Sequence, residues 1–259
     1  MDPVAVVVAV SVLAALAFAI VAVLRLESPW LQPIAIGRAV LQLGLLSLVL
    51  TGVLADGVWV GVFLAVMVGA ATAVVLRRAR LPWRDAPRLA GVLLVAAAVP
   101  MAVVFATGAL PPEPRYLLAV GGIVVGSTMT VSSLMGRSLA AALVTDRDEI
   151  EGWLALGATP RTAALRAVRT AASTALIPST DQTRTTGIVT LPGAFVGAVF
   201  AGSPPLEAAG FQLIVLASIL AAGAICVAAL GWLLGAPTQL PDGGADAGPA
   251  TRPGRRYSK

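Results

Sequence analysis

The chain has 259 residues, of which 58% are hydrophobic and 12% are charged, and its formal net charge is +5. Its mean hydropathy of +0.91 excludes a soluble globular domain and indicates an all-α integral membrane protein. A helix needs roughly 20 apolar residues to cross a bilayer core of about 30 Å. We predict about seven transmembrane helices, which in chain order cover residues 4–24, 39–54, 58–76, 89–110, 117–136, 185–202 and 208–234.

The basic residues predict the orientation of these helices, because short loops rich in Lys and Arg stay in the cytoplasm. With seven spans, every Lys and Arg except Arg115 falls in an odd-numbered loop or in the tail. We therefore expect the amino terminus outside, the carboxyl terminus in the cytoplasm, and a multi-pass protein of the cell inner (plasma) membrane. The orientation of the chain in the lipid bilayer explains its excess of basic over acidic residues, so no nucleic-acid partner is expected.

The residues that are scarce in this chain narrow its chemistry. Lys259 is the only lysine and there is no histidine, so the chain lacks a phosphate-cradling Walker lysine, the usual general base and the commonest transition-metal ligand. The single cysteine, Cys226, lies in the last predicted span, where a lone cysteine mostly packs. We predict a protein that is not an enzyme, with no catalytic residue and no cofactor bound by this chain.

One polar interruption, residues 137–184, separates the fifth and sixth predicted spans, and we expect it in the cytoplasm. In its second half, Thr159 followed by Pro160 predicts the N-cap and first residue of a helix that runs to about Leu176 and ends at Pro178. The helical wheel gives this helix a polar face and an alanine face. The polar face carries Thr162, Arg166, Arg169, Thr170 and Ser173, and the alanine face Ala163, Ala164, Ala167, Val168 and Ala171.

Three interpretations of this interruption compete. The helix is either an interfacial helix on anionic lipid headgroups or a docking element for a cytoplasmic partner. The third interpretation takes the acidic patch as the Mg²⁺ site of a membrane-embedded transferase, although such patches are more often solvated helix ends. The patch consists of Asp146, Asp148, Glu149 and Glu151.

Four motifs in the region 126–215 resemble the FetB-type permeases of iron-export ABC transporters, a family that also includes plant aluminium-resistance membrane proteins. They are LALGATP at 154–160, ALIP at 175–178, GIVTLPG at 187–193 and PLEA at 205–208. The resemblance implies a permease subunit that exports iron or another metal cation. It also implies a homodimer driven by a separate cytoplasmic ABC ATPase subunit, which carries the ATP and Mg.

The resemblance further implies which residues carry the function. Segment 146–176 would dock on the ATPase, through Glu151, Leu154, Gly157, Ala158, Thr159, Pro160, Arg161, Arg166 and Arg169. The fifth to seventh spans would build the translocation path. The candidates for that path, with metal ligands left unassigned, are Gln42, Ser127, Met129, Asp181, Pro192, Gly193, Gly197 and Gln212.

The sequence departs from the family pattern in the sixth predicted span. Ala194, Phe195, Val196 and Ala198 stand where family members often carry thioether, hydroxyl and amide side chains, so soft-metal ligands are missing there. An ABC exporter of an organic solute therefore stays open as an alternative. We assign residues 1–235 to one permease domain and predict a disordered cytoplasmic tail, rich in Pro, Gly, Ala and Asp, over 236–259.

Overall fold

The computed structural model describes residues 2–25, 28–53 and 57–237. Within these ranges every named element is a helix, and one isolated bridge joins Thr186 and Thr190, which confirms the all-α class. The α-helices are α1 (Pro3–Val23), α2 (Leu31–Val53), α3 (Gly57–Arg78), α4 (Ala86–Ala106), α5 (Pro114–Thr145), α6 (Arg147–Ala155), α7 (Pro160–Ala163), α8 (Leu165–Thr185), α9 (Gly193–Phe200) and α10 (Pro205–Leu234). The predicted tail from residue 238 onward lies outside the described residues.

The chain divides into two compact units, Met1–Trp59 and Val60–Lys259. In the first unit α1 packs on α2, and the Phe18 and Trp30 ring centroids lie 4.6 Å apart. The α1 helix begins as its sequence dictates, because Asp2 caps the Val4 N–H at 3.0 Å and Pro3 is its first residue. Gln42, a candidate for the translocation path, is exposed on α2.

In the second unit, pairs of neighbouring side chains give the direction of each helix. The helices α3, α5 and α10 run the same way, because residues early in one lie beside residues early in the next. These pairs are Leu64 with Gly121, Ala79 with Gly136, Tyr116 with Phe211, and Ser132 with Cys226. The helix α8 runs the opposite way, since Val168 lies beside Gly231 and Leu176 beside Gly223.

One end of the second unit is rich in exposed arginine, and we call it the basic end. It holds the end of α3, the start of α4, the end of α5, the start of α8 and the end of α10. The exposed arginines there are Arg77, Arg78, Arg80, Arg84, Arg88, Arg137, Arg161, Arg166 and Arg169. Arg115 lies at the start of α5, at the opposite end. The charge asymmetry that the sequence predicts is therefore present within this unit.

Six helices in the described residues are long and apolar enough to cross a membrane, namely α1 to α5 and α10. The predicted sixth span, 185–202, is not a helix of that kind. Residues 186–192 form a turn with a bridge between Thr186 and Thr190, and α9 has only eight residues, about 12 Å of helix. Pro192 sits before the first residue of α9, where its missing N–H costs no hydrogen bond.

The helix α8 is as long as a span but too polar to be counted among the apolar helices. Its 21 residues extend about 31 Å, and it packs along α5 and α10 with small buried residues at every fourth position. These residues are Ala167, Ala171, Ala175 and Ser179. Much of the segment predicted to lie in the cytoplasm therefore runs from the basic end along the bundle. Arg184, in the last turn of α8, lies nearer the opposite end.

The prediction that this helix ends at Pro178 is wrong, because α8 continues to Thr185. A proline inside a helix removes one backbone hydrogen bond, here the one to the Thr174 carbonyl. Both residues are exposed, so no side chain of the bundle packs against the freed carbonyl. Burial of Ala175 and Ser179 on the other face keeps the helix in register.

Candidate functional site

The segment between α5 and α8 forms an angular corner, which we call the α6–α7 corner and define as residues 153–163. The α6 helix ends in a Schellman motif. In this motif the Ala158 N–H donates to the Trp153 carbonyl oxygen at 3.0 Å, and the Gly157 N–H donates to the Leu154 carbonyl oxygen at 3.0 Å. Gly157 has a φ of +87°, the left-handed conformation that this motif requires. The glycine thus fixes the angle at which the chain leaves α6.

The next residues confirm the predicted helix start. The Thr159 Oγ1 accepts a hydrogen bond from the Thr162 N–H at 3.3 Å, and Pro160 is the first residue of α7. A C-cap and an N-cap therefore meet within three residues. The α6–α7 corner is a rigid connection rather than a loose loop.

The α6–α7 corner exposes apolar side chains at the basic end. Ile150 is the buried residue of α6, at 2% exposure, and it holds the helix against the bundle. Trp153, Leu154 and Leu156 are 49%, 38% and 82% exposed. Apolar side chains presented together on a polar, water-facing segment are typical of an interaction surface.

Two ion pairs brace this surface. The Arg166 Nη1 lies 2.7 Å from the Glu149 Oε2 and joins α8 to α6, and the Arg147 Nε lies 2.7 Å from the Glu151 Oε1 within α6. Two of the four carboxylates in the acidic patch are therefore paired with arginine. In the described part of the chain, no three His, Cys, Asp or Glu side chains converge on a metal site. The acidic patch is a braced helix surface.

A groove of about 480 Å³ runs between α6 and the start of α8. Trp153 and Glu149 line one side, and Arg166, Arg169 and Thr170 line the other. The structure therefore places Arg166 and Arg169 beside the α6–α7 corner. The alanine face of α8 is buried in the bundle, so this helix does not lie on lipid headgroups as an interfacial helix.

Arg161 differs from the other predicted docking residues. Its Nη2 donates to the Trp232 carbonyl oxygen at 2.9 Å, and its guanidinium carbon lies 5.5 Å from the Trp232 ring centroid. Trp232 belongs to the last turn of α10, whose carbonyl groups have no partner within the helix. Arg161 therefore faces α10 and bonds its carboxyl end, away from the groove between α6 and α8.

Replacing Gly157 by Val should loosen the α6–α7 corner, because a β-branched residue pays about 1–2 kcal/mol in the left-handed region. Gly157→Asn is the matched control, since Asn tolerates that region and a Cβ at this position meets no neighbour within 4 Å. In hydrogen–deuterium exchange, the Gly157→Val variant should exchange the Ala158 amide about five to thirty times faster. Equal exchange in the two variants would contradict the Schellman assignment.

A second set of polar side chains lies inside the bundle. Most of its hydroxyl groups bond a carbonyl on their own helix, as Thr128 does to Val125 at 2.8 Å and Ser218 to Ile214 at 2.8 Å. Two groups differ. The Ser132 hydroxyl donates across the bundle to the Cys226 Sγ at 3.6 Å, and the buried Gln212 Oε1 has no hydrogen-bond partner among the described residues.

The path candidates are thus only partly brought together. Ser127 and Met129 are half-buried on α5, whereas Asp181 is exposed on α8 and forms no ion pair with Arg184 in the described structure. Gly193 and Gly197 lie on α9, and no neighbour stands within 4 Å of a Cβ at either. The pair Ser132 and Cys226 is missing from the predicted set. The spacing of Thr128, Ser132 and Met135 marks the buried face of α5, but it does not identify Cys226 as the partner of Ser132.

The helices and the basic end together define a multi-pass, all-α protein of the plasma membrane. The chain belongs to the family described as Uncharacterised protein family (UPF0014), whose model matches residues 4–236. No solved structure matches the chain.

Relatives from plants and bacteria support this membership. The UPF0014 membrane protein STAR2 of Oryza sativa subsp. japonica is 35% identical over 193 residues, which are 74% of this chain and 68% of the rice protein. Protein ALUMINUM SENSITIVE 3 of Arabidopsis thaliana is 31% identical over 196 residues, 73% of this chain and 70% of that protein. The Probable iron export permease protein FetB of Escherichia coli (strain K12) is 30% identical over 133 residues, 51% of each chain.

Proposed function

We propose that this chain is the permease subunit of an ABC exporter for a metal cation, powered by a separate ATPase subunit that docks on the α6–α7 corner. The observation that carries the proposal is the exposed apolar set Trp153, Leu154 and Leu156 on that corner, held rigid by two helix caps. The name of the E. coli relative, an iron export permease, supports the transport class and the cargo.

The position of the α6–α7 corner gives a mechanical reason for docking there. The corner connects α5 to α8, and the Glu149–Arg166 pair braces the connection. Both helices pack closely on each other and on α10 in the bundle. A partner that binds the corner therefore moves α5 and α8 as rigid bodies. Nucleotide-driven closure of the partner is transmitted to the membrane domain by this motion.

The docking surface in this proposal contains fewer residues than the one expected from sequence. It consists of Trp153, Leu154 and Leu156 with the groove side chains Arg166 and Arg169. Gly157, Ala158, Thr159 and Pro160 shape the corner. Arg161 is left out, because its guanidinium bonds α10. The ATP and Mg belong to the partner, and two copies of this chain form the transporter.

An exporter of an organic solute is a second candidate, and one observation favours it. The α9 helix, GAFVGAVF, offers no oxygen, nitrogen or sulfur side chain to a metal. The buried Gln212 carbonyl and the Ser132–Cys226 pair are the polar groups that favour a cation. Metal accumulation in cells with and without the gene, measured across several cations, separates the two candidates.

Gln212→Leu tests the role of the unpartnered amide. A hydrogen bond to a charged group is worth about 1.5–3 kcal/mol, so loss of this ligand should slow cation efflux by about tenfold or more. The same change removes a buried unsatisfied group and should leave the protein as stable as the wild type or more stable. Ser218→Ala is the matched control on α10, since the Ser218 hydroxyl already bonds Ile214. Normal efflux in Gln212→Leu would remove Gln212 from the path.

A further inference from the structure

A second cavity at the basic end lies between α4 and α10 and has a volume of about 760 Å³. Each helix contributes one stripe of side chains at helical spacing. The stripe on α4 is Arg88, Val92 and Val95, and the stripe on α10 is Ile225, Ala229 and Trp232. Arg161 of α7 also lines the cavity. This cavity is separate from the α6–α8 groove and from the buried Gln212.

The cavity is polar at one end and apolar at the other. Arg88 is in the first turn of α4 and Trp232 in the last turn of α10, so both stand at the basic end of these antiparallel helices. From Arg88 to Val95 the α4 stripe descends about 10 Å toward the middle of the membrane. Val95 is 53% exposed there. The cavity therefore has a cationic mouth and a hydrocarbon floor.

The charges at the mouth leave a net positive site. Arg88 is 71% exposed and its Nη1 lies 3.6 Å from the Asp85 Oδ1, a long contact that only partly neutralises it. Arg161 uses one N–H for the Trp232 carbonyl. Its remaining N–H donors have no partner among the described residues, and a guanidinium carries five. Two guanidinium groups against one carboxylate match a ligand with a single negative charge.

We propose that this cavity binds one anionic glycerophospholipid, with its phosphate between Arg88 and Arg161 and an acyl chain along Val92, Val95 and Ile225. The bilayer supplies the hydrocarbon that an apolar groove needs, and a basic pocket between spanning helices at the cytoplasmic side selects acidic headgroups. Trp232 lies at the depth of the headgroups, where its ring is favoured. The bound lipid contacts α4, α7 and α10 together.

The test is native mass spectrometry of the purified full-length protein in detergent with equal amounts of phosphatidylglycerol and phosphatidylcholine. The wild-type protein should retain phosphatidylglycerol preferentially. Since each arginine near the headgroups is worth about 1 kcal/mol, Arg88→Gln and Arg161→Gln should each reduce retention about fivefold. Val95→Trp, which fills the floor at an exposed position, should reduce it as well without touching a charge.

The control is Arg77→Gln, which removes the same charge from the same end but does not line the cavity. Its retention should equal that of the wild type. The proposal is overturned if Arg77→Gln loses as much phosphatidylglycerol as the cavity variants do. It is also overturned if the wild-type protein retains phosphatidylglycerol and phosphatidylcholine equally. Displacement of the lipid by millimolar glycerol 3-phosphate also overturns it, because the site would then take a free phosphate. A Val95→Trp variant that still retains the lipid but no longer forms a dimer would also overturn the proposal. That result would mean that a second copy of this chain, and not a lipid, covers the cavity.

Discussion

Leu156→Asp should strongly weaken the binding of the ATPase subunit while leaving the membrane bundle folded. The Leu156 side chain is 82% exposed, so its replacement removes few contacts within the chain. An apolar anchor at the centre of an interface is worth about 2 kcal/mol or more, and a buried, unpaired carboxylate adds to the loss. We expect the affinity for the ATPase to fall about thirtyfold or more, measured by co-purification from detergent.

Trp83→Ala is the control for this prediction. Trp83 is also at the basic end and is 60% exposed, but it lies before α4 and outside the α6–α7 corner. Its truncation should leave ATPase binding unchanged. If Leu156→Asp co-purifies with the ATPase as well as the wild type does, the docking surface is somewhere else on the chain.

Gly136→Leu should destabilise the second unit. A Cβ at Gly136 would collide with the Cβ of Ala79, an atom fixed to the backbone just after α3. No rotamer change relieves this collision, so α3 or α5 must shift. Overpacking of a close-packed core costs about 1–3 kcal/mol and sometimes more, against about 1 kcal/mol gained in helix propensity. Because only a backbone shift relieves the collision, we expect a cost at the upper end of this range and a net loss of about 2 kcal/mol, so the melting temperature in detergent should fall by about 4–8 °C.

Gly126→Leu is the matched substitution ten residues earlier in the same helix. A Cβ at Gly126 meets no atom within 4 Å, so a larger side chain has room there. This variant keeps the gain in helix propensity without the collision, and its melting temperature should equal or exceed that of the wild type. An equal drop in the two variants would show that the close approach of Ala79 to α5 is not a packing constraint.

The features that sequence predicts best here are those set by local chemistry. Thr159 and Pro160 mark the start of α7, Gly157 marks the end of α6, and the alanines at 163, 167 and 171 mark a buried helix face. Each depends on a residue and its immediate neighbours along the helix. Long apolar runs likewise predict the helices that cross the membrane by composition alone.

The sixth predicted span fails for a physical reason. Hydropathy averages over all faces of a helix, whereas α8 needs to be apolar only on the face that packs on α5 and α10. Small residues at every fourth position make that face, and Arg166, Arg169 and Asp181 occupy others. The apolar run at 187–200 was preferred by hydropathy, but the GIVTLPG turn divides it into a loop and the short α9.

Contacts between residues far apart in the chain could not be predicted from the sequence. Arg161 belongs by sequence to the basic helix, yet it bonds the Trp232 carbonyl 71 residues away. Ser132 and Cys226 are separated by 94 residues, and no local pattern pairs them. Packing of α10 against α5 and α7 decides these contacts, and single-sequence patterns do not carry that information.

The most direct test of the docking account is photocrosslinking in the membrane, with p-benzoylphenylalanine in place of Leu156 or Ile188. These side chains are similarly exposed, at 82% and 88%, but Leu156 is at the basic end, whereas Ile188 follows α8, whose end lies nearer the opposite end. We predict an adduct with an ABC ATPase subunit from position 156 and none from position 188. No ATPase adduct at position 156, or equal adducts at both positions, would contradict the account.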